Sequence, residues 1–432
     1  MSDKKAIFFN SKRPKKENDR FFINGLSKVS ENQSNEDINN LLKLYYTIDE
    51  VKIDITFAIK INAVIEKHIS KLIKQADIFF KMSNKNNCSV ESIYSGMAGI
   101  ALLFKFYASK TNNKHKTFEQ SKQIIEKCLK ILDSTSKRIT YLTGKSGVYV
   151  TAASIYLESN DHANMKLMID EIVGMLPLAL DPKTSDEILY GRAGYLYSLM
   201  VLKNLGWNDV NSDDIIRQVV SAILDSGMSL CSKENIKTTP IMYEWHEKKY
   251  FGAAHGLLGI LHCLLLMKNY LTQKELYDLI KPALDYLLTL QFKSGNLPSS
   301  LNNDKDRLVQ WCHGAAGATQ TFLLAYEILK DTKYLIAAEQ FGDVIWERGL
   351  LIKGYGLCHG LSGNTYAFIS LFKVTKKFKH LYRAAKFIDW CLTNDSKIKE
   401  LNRSFSMFEG IAGNVYTLLD VQNPLQANFP GY

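Results

Sequence analysis

Trp311-Cys312-His313-Gly314-Ala315-Ala316-Gly317 and Leu357-Cys358-His359-Gly360-Leu361-Ser362-Gly363 are one motif, Cys-His-Gly-x-x-Gly, written twice. The glycine pair also occurs without the cysteine, in Ser95-Gly96-Met97-Ala98-Gly99, Thr143-Gly144-Lys145-Ser146-Gly147, Tyr190-Gly191-Arg192-Ala193-Gly194, His255-Gly256-Leu257-Leu258-Gly259 and Glu409-Gly410-Ile411-Ala412-Gly413. The first glycines stand at 96, 144, 191, 256, 314, 360 and 410, at intervals of 48, 47, 65, 58, 46 and 50. Self-similarity at such a period marks a repeat architecture.

Each unit reads as two helices. An amphipathic one precedes the turn, as in Glu119–Leu132, Lys274–Gln291 and Leu335–Glu347. A second starts within the turn and is apolar nearly all round, as in Ala98–Ala108, Ala193–Leu202, Leu257–Met267 and Ala316–Ile328. A helix apolar on every face must be buried, so the second set predicts an inner layer and the first an outer one. An open solenoid needs polar end caps, yet the last unit is as apolar as the middle ones. The expectation is an all-α ring, an α/α toroid, with the first glycine of each turn at positive φ and the second letting the inner helix start close to a neighbour.

Composition agrees. The chain has 432 residues, 46% apolar and 23% charged, with only 8 prolines, which suits a large helical core. The net charge of +10 gathers partly at the start, in Lys4, Lys5, Lys12, Arg13, Lys15, Lys16 and Arg20. That segment reads as a solvated tail rather than a nucleic-acid or anionic-lipid patch, because no aromatic–basic module follows it. Residues 1–50 are read as a polar extension with one helix near Asn39–Tyr46, and 51–432 as the repeat domain. No signal-peptide core or membrane-length apolar run is present, and residue 2 is Ser, so a cytoplasmic protein with reduced thiols is expected.

The residues before the first glycines are Ser95, Thr143, Tyr190, His255, His313, His359 and Glu409. A closed ring sets these equivalent positions around one mouth. Helix N-capping accounts for Ser95 and Thr143 but not for three histidines. Cys312 and Cys358 share a place in successive units, and with one neighbouring histidine they form a three-ligand set suited to an open zinc site. Cys88, Cys128, Cys231, Cys263 and Cys391 read as small buried residues. Two thiolates favour activation of a thiol over hydrolysis, and His255 is placed to act as the acid. The insertions Cys231–Tyr250 and Asn296–Asp306 read as loops that serve binding.

These residues, with Glu244-Trp245, Gly252-Ala253-Ala254-His255-Gly256 and Phe408-Glu409-Gly410, make the chain resemble the LanC-like family, eukaryotic relatives of the bacterial lanthionine cyclases. The resemblance implies a double α/α toroid of seven inner and seven outer helices. It implies zinc on Cys312, Cys358 and His359, His255 as acid/base, and Glu187 where the bacterial cyclases carry an aspartate. It implies glutathione as co-substrate, held by Lys353 and Arg403 with a weaker match at Lys5, and added to dehydroalanine or dehydrobutyrine in proteins or peptides. The alternatives are a lanthionine-forming peptide cyclase and a non-catalytic glutathione- and zinc-binding adaptor. A glycosidase using Glu187 and Glu409 would leave the cysteines without a role.

Overall fold

The computed structural model describes residues 20–22, 34–81, 92–111, 114–394 and 404–432. Seven helices begin at the glycine turns: Met97–Lys110, Lys145–Glu158, Arg192–Asn204, Leu257–Leu266, Ala315–Leu329, Leu361–Thr375 and Ile411–Asp420. Each packs on the next, and Ile411–Asp420 packs back on Met97–Lys110, so the ring closes. In Leu257–Leu266 nine consecutive residues, Leu257 to Leu265, are buried, as expected of an inner helix.

The outer layer comprises Ile55–Lys81, Lys114–Ile131, His162–Val173, Ser212–Lys233, an interrupted helix over 273–289, Thr332–Arg348 and Phe378–Thr393. Ser212–Lys233 buries Ile215, Ile216, Val219, Val220, Ile223 and Leu224, a single stripe. The helix expected at Lys274–Gln291 divides into Gln273–Glu275, a π turn Leu276–Ile280, and Lys281–Thr289. Pro282 has no N–H to give the preceding turn, which accounts for the slack.

Pairing follows a different unit from the one read in the sequence. The tight hairpins run from an inner helix to the outer helix after it, as in Met97–Lys110 with Lys114–Ile131 and Ala315–Leu329 with Thr332–Arg348. The last inner helix therefore finds its outer partner at the other end of the chain, in Ile55–Lys81. Near the start, the helix is Asn35–Leu42 rather than Asn39–Tyr46, because Ser34 and Asp37 form a capping box. It lies on Phe378–Thr393, and Tyr46 donates to the Val421 carbonyl at 2.6 Å. Residues 20–22 pair antiparallel with Leu350–Ile352. The basic residues 4–16 lie outside the described residues.

The glycines also act differently from expectation. Gly314 alone among the first glycines has positive φ, +97°; Gly96, Gly144, Gly191, Gly256, Gly360 and Gly410 are extended. The second glycines share one constraint. A Cβ on Gly99, Gly259 or Gly363 would stand 2.2, 2.0 or 2.0 Å from the carbonyl of Ile93, Ala253 or Leu357, always six residues earlier. The chain crosses its own helix there, and only glycine leaves room.

Phe429, Pro430, Gly431 and Tyr432 are buried at the ring's axis. Tyr432 stacks on His262 at 3.8 Å and pairs with Thr321 at 2.5 Å, and the Gly431 N–H donates to Tyr197. Phe429 stacks on Trp311 at 5.4 Å and meets Tyr366 and Phe408. Groups from opposite sides of the ring thus converge on one segment.

Burial lowers His262 to about 3 and His380 to about 4, the latter against the pull of Glu339. Both are depressed below their unfolded value of 6.5, so the stability they hold is complete above that pH and drains as pH falls toward 4. Urea unfolding should show a lower midpoint at about pH 5 than at about pH 7.5. His262→Asn should shallow that fall; an unchanged pH slope would show that His262 is not one of its sources.

Candidate functional site

The mouth forms where the turns meet. Ser95, Thr143, His255, His313, His359 and Glu409 are half-buried and Tyr190 is exposed, each followed by a buried glycine. The capping reading of Ser95 and Thr143 fails, since the N-cap at these helices is the glycine and makes no side-chain bond. The Thr143 hydroxyl instead donates to the Leu189 carbonyl of the next repeat, and Ser95 turns to Ser92.

Two residues before each first glycine, the row reads Tyr94, Leu142, Leu189, Ala254, Cys312, Cys358 and Phe408. The Cys312 N–H donates to the Cys358 carbonyl at 3.2 Å, which sets the two cysteines side by side. Their sulfurs and a ring nitrogen of His359 lie within 4.8 Å of one another. This is the trio expected from the sequence. The Cys358 hydrogen bond and the His359 and His313 charges hold the Cys312 thiol well below its ordinary range. Burial beside that thiolate pushes Cys358 well above it. Losing the second proton therefore calls for a cation, and two sulfurs with an imidazole suit a soft divalent one.

Each sulfur also has a hydrogen-bond donor that the sequence reading missed. Gln310, buried, donates to Cys312 Sγ at 3.1 Å. Tyr94 lies flat on Phe408, with ring centroids 4.8 Å apart, and reaches past it to Cys358. Burial and the neighbouring thiolates raise the Tyr94 phenol, so it keeps its proton and donates. Its place in the row of seven equivalents was the available signal: it carries the one polar group there besides the cysteines.

His255 stands in the neighbouring repeat, its ring 6.4 Å from that of His313. Its Nδ1 meets Glu187 Oε2 at 2.8 Å. Glu187 is 2% exposed and accepts the backbone N–H groups of Leu189 and Tyr190. A carboxylate so fixed selects the tautomer with the proton on Nδ1 and leaves Nε2 for the mouth. The adjacent Asp186 turns the other way, to Arg192 and Ser226, both at 2.6 Å. Trp245, from the first insertion, stacks on Tyr190 at 5.5 Å and lies parallel to His255 at 6.0 Å. In the second insertion Asn296 accepts from the Ala315 N–H at 2.9 Å, an internal support for the inner helix.

His313 is lowered by burial and by the nearby His255, Lys353 and His359, and its Nδ1 has no hydrogen-bond partner among the described residues. A Cβ on Gly252 would come 2.8 Å from that nitrogen. Lys353 is exposed beside this group, while Arg403 and Lys5 lie outside the described residues. Cys128, Cys231, Cys263 and Cys391 are buried and in no disulfide among the described residues, as expected; Cys88 is not among the described residues.

The family profile described as lanthionine synthetase C-like protein matches residues 90–432. The Danio rerio protein named glutathione S-transferase LANCL1 is 37% identical over 371 residues, covering 85% of this chain and 90% of its own. A solved nisin cyclase superposes with a TM-score of 0.64 at 18% identity, over 84% of this chain and 94% of that one, a likeness of fold.

Removing a donor to a ligating sulfur should loosen the site without unfolding the ring. Tyr94→Phe and Gln310→Ala are each expected to weaken zinc binding about tenfold, read by competition with a chromophoric chelator. Wild-type affinity in both would show that these hydrogen bonds do not tune the donor set.

Proposed function

This chain belongs to the lanthionine synthetase C-like family, and from that premise we propose that it is a zinc-dependent transferase joining glutathione to dehydroalanine or dehydrobutyrine residues of proteins or peptides. The observation that carries this reading is the His255–Glu187 pair facing a separate Cys312–Cys358–His359 donor set across His313. A structural metal site has no use for an oriented imidazole beside it. The name of the zebrafish relative supports glutathione as the thiol.

Cys312, Cys358 and His359 would hold the metal. Zinc bound there would favour a substrate thiol as its thiolate at neutral pH. In the reaction the sulfur bonds to the β-carbon, the π pair moves toward the carbonyl, and the α-carbon gains one proton. The thiol's proton leaves, so the sum is addition of S–H across the double bond. His255, its Nδ1–H steadied by Glu187, takes up the thiol's proton at Nε2 and gives it from there to the α-carbon. His313, kept neutral, offers its ring to the developing negative oxygen. Lys353 would pair with a glutathione carboxylate, with Arg403 in the same role.

His255→Asn should keep zinc and glutathione binding and lose about a hundredfold or more in the initial rate of adduct formation on a dehydroalanine peptide. An unchanged rate would assign the proton to another group. A wild-type rate no greater than that of free glutathione would favour an adaptor. Separately, Lys353→Ala should weaken glutathione binding in calorimetry and lessen its salt dependence; unaltered affinity and salt slope would remove Lys353 from the contact.

A further inference from the structure

The mouth has a second arc, in repeats two to four, that the donor set does not use. A cavity of about 220 Å³ opens there beside the rim residue Thr143, lined also by Ser92, Asp133, Ser136, Arg138 and Lys145. Asp133 is already committed: its carboxylate accepts from the Thr135 N–H at 2.9 Å and hydroxyl at 2.7 Å, which hold it below the usual range. Lys145 uses one of its protons on the Ser134 carbonyl at 3.1 Å. Arg138 is exposed and has no carboxylate partner among the described residues. Its guanidinium instead lies 5.5 Å over the ring of Tyr190. The cavity thus presents two cations, Lys145 close to the Asp133 carboxylate and Arg138 without one among the described residues, and the Ser136 hydroxyl, donors of the kind an anion's oxygens require.

The cavity also lies at a defined remove from the imidazole. From Arg138 the next step is Tyr190, and from Tyr190 the ring of His255 lies parallel at 6.2 Å. Trp245 widens the same surface, stacked on Tyr190. An extended chain advances about 3.3 Å per residue, so these two steps, laid end to end, span at most about three and a half residues. A planar aromatic surface is suited to the intervening backbone and side chains.

We propose that this cavity is an anion subsite for the acceptor, resting on the transferase reading above. It takes the carboxylate or phosphate of a side chain about three residues from the dehydroamino acid, while Tyr190 and Trp245 support the residues between. The preferred substrates are then acidic or phosphorylated peptides, and the site selects among proteins that carry the same lesion.

The test uses the full chain loaded with zinc and dehydroalanine peptides identical except three positions to either side, where Asp, phosphoserine or Lys is placed. For one direction, kcat/KM should be about tenfold higher with Asp or phosphoserine than with Lys, and the gap should shrink at high salt. The larger of the two anionic values tells carboxylate from phosphate. In the double variant Arg138→Ala, Lys145→Ala the anionic-to-Lys ratio should fall toward one, with the glutathione KM unchanged. Equal rates in wild type, a ratio that survives the double variant, or a change in glutathione KM instead would each overturn the proposal. Binding of the same peptides with Ala replacing dehydroalanine, followed by anisotropy, should keep the anion-over-Lys order without any reaction. If that order holds while no adduct forms on any acceptor, the chemistry fails and the subsite stands.

Discussion

The hydrogen bond from the Cys312 amide to the Cys358 carbonyl is one link in a belt that runs along the mouth from Ala254 to Leu142. Cys358 donates to Phe408 at 2.8 Å, Phe408 to Tyr94 at 3.0 Å, and Tyr94 to Leu142 at 2.8 Å. Backbone groups this buried must be paired, and here each pairs with the next repeat. Residues 46 apart, and finally residues at opposite ends of the ring, become neighbours for that reason. The belt's link from Phe408 to Tyr94 requires that the last inner helix pack on the first. The belt forms only if the second glycines let each segment pass its own helix at carbonyl contact. Chemistry at the rim therefore depends on a constraint that contains no chemical group.

The chemistry divides along the same belt. Thiols at two adjacent links cannot both ionise without a cation, and each has a donor behind it, Gln310 or Tyr94. The imidazole of His255 sits in a different repeat, tied to a carboxylate that two backbone N–H groups hold in place. Separation keeps the imidazole of His255 from being drawn into the donor trio, and the His313 ring lies between. The acid role proposed for His255 needs that independence, because a ligating nitrogen cannot also deliver a proton.

Much of this was legible in the sequence. Glycine spacing carried the ring, the all-apolar helices carried the layers, and the doubled Cys-His turn carried the two cysteines and a choice of two histidines, of which the family resemblance implied His359. What could not be read were matters of contact. Asp186 and Glu187 are adjacent and chemically alike, and only the turn into the third inner helix decides which carboxylate meets Arg192 and which meets His255. Tyr94 looks like an apolar rim residue until Phe408 is known to lie under it. Positive φ was expected at every first glycine, yet six of those turns are extended; at Gly144, Gly191, Gly256 and Gly360 crowding by nearby backbone is what demands glycine. The true hairpin pairing was hidden because inner and outer helices alternate, so either partition of the chain has the same period.

The buried segment Phe429–Tyr432 shows how far the belt's influence extends. Its aromatic rings rest on Trp311, the residue before Cys312, with Tyr432 edge-on and Phe429 stacked. Tyr432 in turn rests on His262, a histidine that burial keeps neutral. Close-packed interiors transmit displacement because they have no slack to absorb it. A shift of this segment must move Trp311, and Trp311 cannot move without carrying the Cys312 amide and the bond to Cys358. Tyr94 adds a second path, since its phenol spans from the first repeat across Phe408 to a sulfur in the sixth. Holding a cation between Cys312 and Cys358 would thus draw on packing at the axis and on the seam where the ring closes. The proposed metal binding would therefore depend on closure of the toroid as well as on its three ligands.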